Sequence, residues 1–154
     1  MTEVTYRSPT VDDIQSVAER MRLSDVLEVA ASHGHTPHNA LCAAVAASTI
    51  SFTAVIDGVP EGIFGVSHHG GMSAAVWMLG TDGLTKDPKV FFAETSRIMD
   101  GWLEQFAILH NFVDDENEVS KAWLLKSGFT LGEPVPYGVS QLPFRYFYRV
   151  GTGV

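Results

Sequence analysis

The stretch Val113-Asp-Asp-Glu-Asn-Glu-Val-Ser-Lys-Ala-Trp-Leu-Leu-Lys-Ser-Gly-Phe129 restricts the fold more than any other part of the chain. It reads as the end of a strand, a turn holding Asn117, an amphipathic helix, and a Gly-Phe pair that opens another strand. Val119, Ala122, Trp123 and the stem of Lys126 fall at helical spacing, so this reading packs that face. Gly128 stands where a helix C-terminus needs a left-handed residue, which lets Phe129 enter a core. Strand, helix and strand in succession belong to an α/β domain.

The rest of the chain keeps that alternation. Thr5-Tyr6-Arg7 is a short strand. Thr10 is an N-cap, with Asp12 and Asp13 in the first turn of a helix carrying Val11, Ile14, Val17, Ala18 and Met21. Ser24 caps a second helix, Asp25 to His33, which Gly34 closes. Thr36-Pro37 begins a third, alanine-rich helix that runs to about Ser48 and reads as buried. The period then changes. Ile50 to Ile56 and Gly62 to Ser67 are strands joined through Asp57-Gly58, a strong hairpin signal. His68 to Gly71 is a second turn and Met72 to Leu79 a third strand. Asp87-Pro88 starts a long helix with Phe91, Thr95, Ile98, Met99, Trp102, Leu103 and Phe106 on one face. Ala107 to Val113 is a strand, the Asn117 helix follows, and two strands close the chain near Phe129 to Leu131 and Phe144 to Val150. The predicted order is β-ααα-βββ-α-β-α-ββ around a mixed central sheet flanked by helices.

With 154 residues this is one domain, residues 1–154, long enough for a full core. The hydrophobic share of 45% against 18% charged excludes a disordered chain. A net charge of −8 argues against nonspecific binding to nucleic acid or to an anionic membrane. Cys42 is the only cysteine, which excludes an intrachain disulfide and a Cys-rich zinc site. The N-terminus lacks the basic and apolar regions of a signal peptide, and Ala40 to Ile50 is too short to span a bilayer. The expected compartment is the cytosol, of a bacterium or of an infected one.

The element order and the Asn117 segment resemble the GNAT (Gcn5-related N-acetyltransferase) superfamily over nearly the whole chain. The resemblance implies that strands Met72–Leu79 and Ala107–Val113 splay apart at the centre of the sheet and hold the pantetheine arm of acetyl-CoA. Trp77, Leu79, Gly80, Thr81, Asn117 and Trp123 are its implied cofactor contacts. Four segments look like small GNAT-like proteins of short-tailed bacteriophages: Val76-Trp-Met-Leu-Gly-Thr81; Asp87-Pro-Lys-Val-Phe91; Asn111-Phe-Val-Asp114 with Asn117 and Trp123-Leu124; and Pro143-Phe-Arg-Tyr-Phe147. That likeness implies a virion-associated or assembly role in the host cytoplasm or the particle, a phage or host protein as partner, and weak or lost catalysis. The alternative is an acetyl-CoA-dependent N-acetyltransferase acting on such a protein.

Three departures from the superfamily pattern bear on chemistry. Leu79-Gly-Thr-Asp-Gly-Leu-Thr-Lys-Asp-Pro88 lacks the (Gln/Arg)-x-x-Gly-x-(Gly/Ala) turn whose N–H groups cradle a pyrophosphate. Asp87 as N-cap puts a carboxylate where a phosphate belongs, which costs roughly a kcal/mol or more unless Lys86 and Lys89 compensate. Pro88 has no N–H to donate. The position of the usual tyrosine acid holds Leu124. For a general base, Glu61 and His110 are the candidates, each explicable without catalysis.

Other features carry a plainer reading. His33-Gly-His35-Thr-Pro-His38 resembles a metal cluster, but no carboxylate lies in the turn, so a helix end and a helix start explain it better. His68-His69-Gly70-Gly71 is a polar turn. Cys42 reads as a buried, inert thiol. Trp77 and Trp102 belong to a core, with the cleft as the other place for Trp77. Asp114-Asp115-Glu116 is a solvated turn or a site for a cation or a basic partner. Phe144 to Arg149 is an edge strand, suited to pairing with a neighbour in a homo-oligomer.

Overall fold

The computed structural model describes residues 1–152. Its order is β1 (Val4–Arg7), α1 (Val11–Glu19), α2 (Leu23–His33), α3 (Pro37–Ala47), β2 (Ile50–Ile56), β3 (Val59–Ser67), β4 (Ser73–Gly80), one turn of 3-10 helix (Asp82–Thr85), α4 (Pro88–Gln105), β5 (Ile108–Asp114), α5 (Glu118–Lys126), β6 (Thr130–Tyr137) and β7 (Leu142–Val150). The order is the one expected, with the 3-10 turn added. Local signals act where the sequence places them. Thr10 and Asp13 form a reciprocal capping box, Thr36 caps α3 ahead of Pro37, and Asp87 caps α4. Asp57 and Gly58 both take positive φ, 49° and 83°, as a two-residue hairpin turn demands. The cap expected from Ser24 is absent: α2 starts two residues earlier, at Leu23, with Arg22 as an N-cap that makes no side-chain cap bond.

The strands form one seven-stranded sheet in the order β1-β2-β3-β4-β5-β7-β6. All neighbours are antiparallel except β4 and β5. On one face Phe64, Val66, Val76, Met99, Trp102, Leu124 and Phe147 share a core under α4 and α5. On the other, Val17, Met21, Val29, Leu41, Ile63 and Leu79 pack under α1, α2 and α3. No helix among the described residues is long and apolar enough to cross a membrane.

Several local expectations are corrected. Phe144 to Arg149 is not at an edge: β7 lies between β5 and β6 and pairs along its length with both. β6 continues through Pro134 and Pro136 to Tyr137, which an edge strand tolerates because its outer N–H groups need no partner. Helix α3 is half open, with Cys42, Ala43, Ala46 and Ala47 exposed, so the thiol is not buried. In α5 only Trp123 of the stripe Val119, Ala122, Trp123 and Lys126 packs against the core, and it does so half-buried. Leu124 is the buried residue, and the stripe borders a cavity.

Candidate active site

The site is made by β4 and β5 parting company. They pair in parallel only over Ser73–Ala75 with Ile108–His110. Beyond that fork the main chains diverge, and Asn111 bridges the gap. Its Nδ2 donates to the Val76 carbonyl at 2.8 Å, and its Oδ1 accepts the Phe112 N–H at 2.8 Å. One side chain thus satisfies a main-chain group from each strand where they can no longer reach each other.

Helix α2 spans the far end of the gap. Asp25 and Glu28 lie three residues apart on one face. The Gly80 N–H, at the end of β4, donates to Asp25 Oδ2 at 3.0 Å. The Asp114 N–H, at the end of β5, donates to Glu28 Oε1 at 2.8 Å. The Gly80 carbonyl accepts the Arg22 N–H at 3.0 Å, and Arg22 pairs with Asp25 at 2.8 Å. Between the fork and this clamp, alternation along β4 turns the Met78 N–H and C=O into the gap, as it does those of Val76 and Gly80. Among the described residues neither Met78 group has a partner there.

A cavity of about 770 Å³ fills the gap and is lined from both faces of the sheet. Val76, Met78, Phe91, Trp123 and Leu124 line it on the α4–α5 side, and Val29, Ala43, Ala44, Ala47 and Trp77 on the α1–α3 side. Glu28 stands in its wall. Burial pushes the Glu28 carboxyl up to about 7, Asp25 and Asp114 push the same way, and the hydrogen bonds from the Asp114 N–H and Asn117 oppose them. Burial raises Asp25 too, against the pull of Arg22. Tyr137, stacked on Phe112 with centroids 4.1 Å apart, also lines the cavity, and burial raises its phenol.

The residues singled out from sequence divide into two groups. Trp77, Leu79, Trp123 and Leu124 line the cavity. The Trp77 indole N–H donates to Ser48 Oγ at 2.7 Å, which fixes the ring as a wall. The Trp123 indole N–H is buried and has no partner. The others lie elsewhere. Asn117 is 4% exposed; it caps α5 through Ser120 and donates to Glu28 Oε1 at 3.4 Å. Gly80 is held by Asp25 and Arg22, and Thr81 is buried with its hydroxyl donating to the Glu61 carbonyl and carboxylate. Glu61 pairs with Arg20 and packs against Gly83, outside the cavity wall. His110 lies against the Tyr146 ring, centroids 5.6 Å apart, also outside it.

The charged features resolve into internal contacts. Asp115 pairs with Lys121 and Arg145, and Asp114 is buried, so the acidic turn is not simply solvated. Lys86 makes its ion pair with Asp57 rather than with Asp87. His33 and His35 stack at the cavity with centroids 5.5 Å apart, while His38 faces Cys42. Among the described residues no group of three His, Cys, Asp or Glu side chains is placed to hold a metal ion. Glu28 was missed in the sequence because it reads as an ordinary polar position on an amphipathic helix. Its one local mark is the spacing from Asp25.

No protein-family model matches the sequence, and neither does any curated protein. Solved structures do match over almost the full chain. A GNAT-family acetyltransferase from Bacillus anthracis superposes with a TM-score of 0.69 at 13% identity, covering 98% of this chain and 97% of that one. The fold is the GNAT fold. The ribosomal-protein-S18-alanine N-acetyltransferase of Escherichia coli gives 0.66 at 12% identity, covering 97% of this chain and 94% of its own. An aminoglycoside acetyltransferase solved in complex with coenzyme A gives 0.67 at 15%, covering 96% and 95%. In this GNAT fold the parting of β4 and β5 is the feature around which the cavity is built.

Proposed function

We propose that the chain is an acyltransferase that moves an acetyl group from acetyl-CoA to an amine. The observation that carries this reading is the coincidence, in one cavity, of an unpartnered Met78 N–H and C=O with a carboxyl poised near neutrality at Glu28. An extended main chain with a free donor and acceptor pairs with an amide-containing chain as a sheet edge does. The pantetheine arm carries such amides and fits this slot, between Met78 on one side and Phe112 and Val113 on the other. When bound, acetyl-CoA supplies the acetyl group as an activated thioester.

Glu28 takes a proton from the attacking amine, a task suited to a base whose pKa lies near the working pH. The Asp114 N–H and Asn117 hold its Oε1, which fixes the direction of the other oxygen. Leu124 has no proton to give, so the departing sulfur takes a proton from water in the cleft, and Glu28 returns the amine's proton to that water. The diphosphate end fits poorly. At the start of α4, Pro88 has no N–H, and the Val90 and Phe91 N–H groups are taken by the Asp87 side chain and carbonyl. The nucleotide is therefore weakly held, and the slot supplies most of the affinity.

Hydrogen exchange at the Met78 amide tests the reading. Added acetyl-CoA slows that amide, and turnover on an amine falls by 10²–10⁴ in Glu28→Gln. An unchanged Met78 amide at saturating acetyl-CoA overturns it. A virion-associated or assembly role with a phage or host protein partner rests on the sequence resemblance, and no feature of the cleft calls for it.

A further inference from the structure

The part of the cavity on the α1–α3 face has a lining that speaks to the acceptor. Four alanines of α3, Ala40, Ala43, Ala44 and Ala47, form one wall, and Val29 and the fixed Trp77 ring face them. Small side chains along one helix leave room for a ring that longer ones would fill. Among the described residues, Glu28 is the only carboxylate in the lining. The basic side chains there are already engaged with other groups of the protein. Arg22 is paired with Asp25, Lys126 lies over the Phe92 ring at 4.4 Å, and the His33 and His35 rings stack on each other.

We infer that the acceptor is a monoamine with an apolar, ring-sized body: the amine meets Glu28, and the body lies against the alanine wall and Trp77. The inference rests on the transferase reading for its chemistry, but the binding it describes stands apart from it. A polyamine or a basic peptide needs several carboxylates to replace the water around its charges, because each unpaired buried ammonium carries a large desolvation cost. One carboxylate meets one ammonium. Aromatic and aliphatic bodies lose no hydrogen bonds on entering such a lobe and gain by leaving water.

The experiment is a titration of the whole chain, without acetyl-CoA, by 2-phenylethylamine, by 2-phenylethanol and by spermidine. The expected result is saturable binding of 2-phenylethylamine at least tenfold tighter than of either other compound. In Ala44→Leu that binding weakens tenfold or more. If Ala44→Leu does not fold, Ala43→Leu, on the exposed part of the same wall, gives the same weakening. Tighter binding of spermidine, no saturable binding of 2-phenylethylamine, or binding unchanged in both alanine variants overturns the inference. Amine binding with no binding of acetyl-CoA supports the lobe and sinks the transferase reading. Acetyl-CoA binding without amine selectivity does the reverse.

Discussion

Two residues carry more of the site than their types suggest. Glu28 is kept in part protonated by burial, from an ordinary 4.5 to about 7. Between those values the unfolded chain releases this proton and the folded chain keeps it, so stability falls as pH rises through that window. The loss is complete above about pH 7 and comes to about 3 kcal/mol. Glu28→Gln keeps an acceptor for the Asp114 N–H and removes the ionisation. Urea denaturation at pH 8 is expected to show a gain of up to about 3 kcal/mol, and at pH 4 almost none. An equal gain at both values places the effect elsewhere. Asn111 is the second such residue. Asn111→Ala leaves the Val76 carbonyl and Phe112 N–H without their partner, at a cost of about 1–2 kcal/mol, since water in the cleft can replace part of it. Faster exchange of the Phe112 amide, with amides of β2 unchanged, is the matching local signature.

At the scale of elements, α2 and α4 do opposite things to the cleft. Helix α2 clamps it, taking one amide from each diverging strand through Asp25 and Glu28. Helix α4 presents an N-terminus where Pro88 has no N–H and Asp87 already takes the Val90 and Phe91 N–H groups. If the diphosphate finds little there, the nucleotide adds little to recognition. The expected outcome is a kcat/KM for acetyl-pantetheine within about tenfold of that for acetyl-CoA, whereas anchoring of the diphosphate worth about 4 kcal/mol makes the ratio near a thousand. Steady-state kinetics with the two donors decides between them.

Across the whole molecule, the two ends of the chain order meet over the cavity. The turn between β6 and β7 caps the last carbonyls of α2: Val139 N–H donates to Ser32 O at 3.0 Å, and Ser140 donates to Ala31 O through N–H and hydroxyl at 3.1 and 2.8 Å. Gly138 makes this approach feasible. Its φ is +72°, and a Cβ there would lie 2.3 Å from Ser32 O. Gly138→Ala is expected to cost about 2 kcal/mol or more, seen as a lower Tm, and to loosen the hairpin from α2. Gly58→Ala, at a turn where an added Cβ meets nothing, carries only the conformational part and is the control.

Element order, caps and turns were legible in the sequence because each depends on a few neighbouring residues. Thr10 with Asp13, Thr36 before Pro37, Asp57-Gly58, and Gly128 ahead of Phe129 all act over one turn of chain. The parting of the two central strands was legible only through the resemblance of the Asn117 segment, and its confirmation needed the register of β4 against β5. Glu28 in the cavity wall, the Asn111 bridge and the alanine wall were not legible. Glu28 and Asp114 are 86 residues apart, Asn111 and Val76 are 35 apart, and no local pattern records those meetings. Burial works over the same distances: a glutamate that reads as solvated on its helix loses water when β5 and α5 close around it, and that loss is the largest of the effects that raise its pKa.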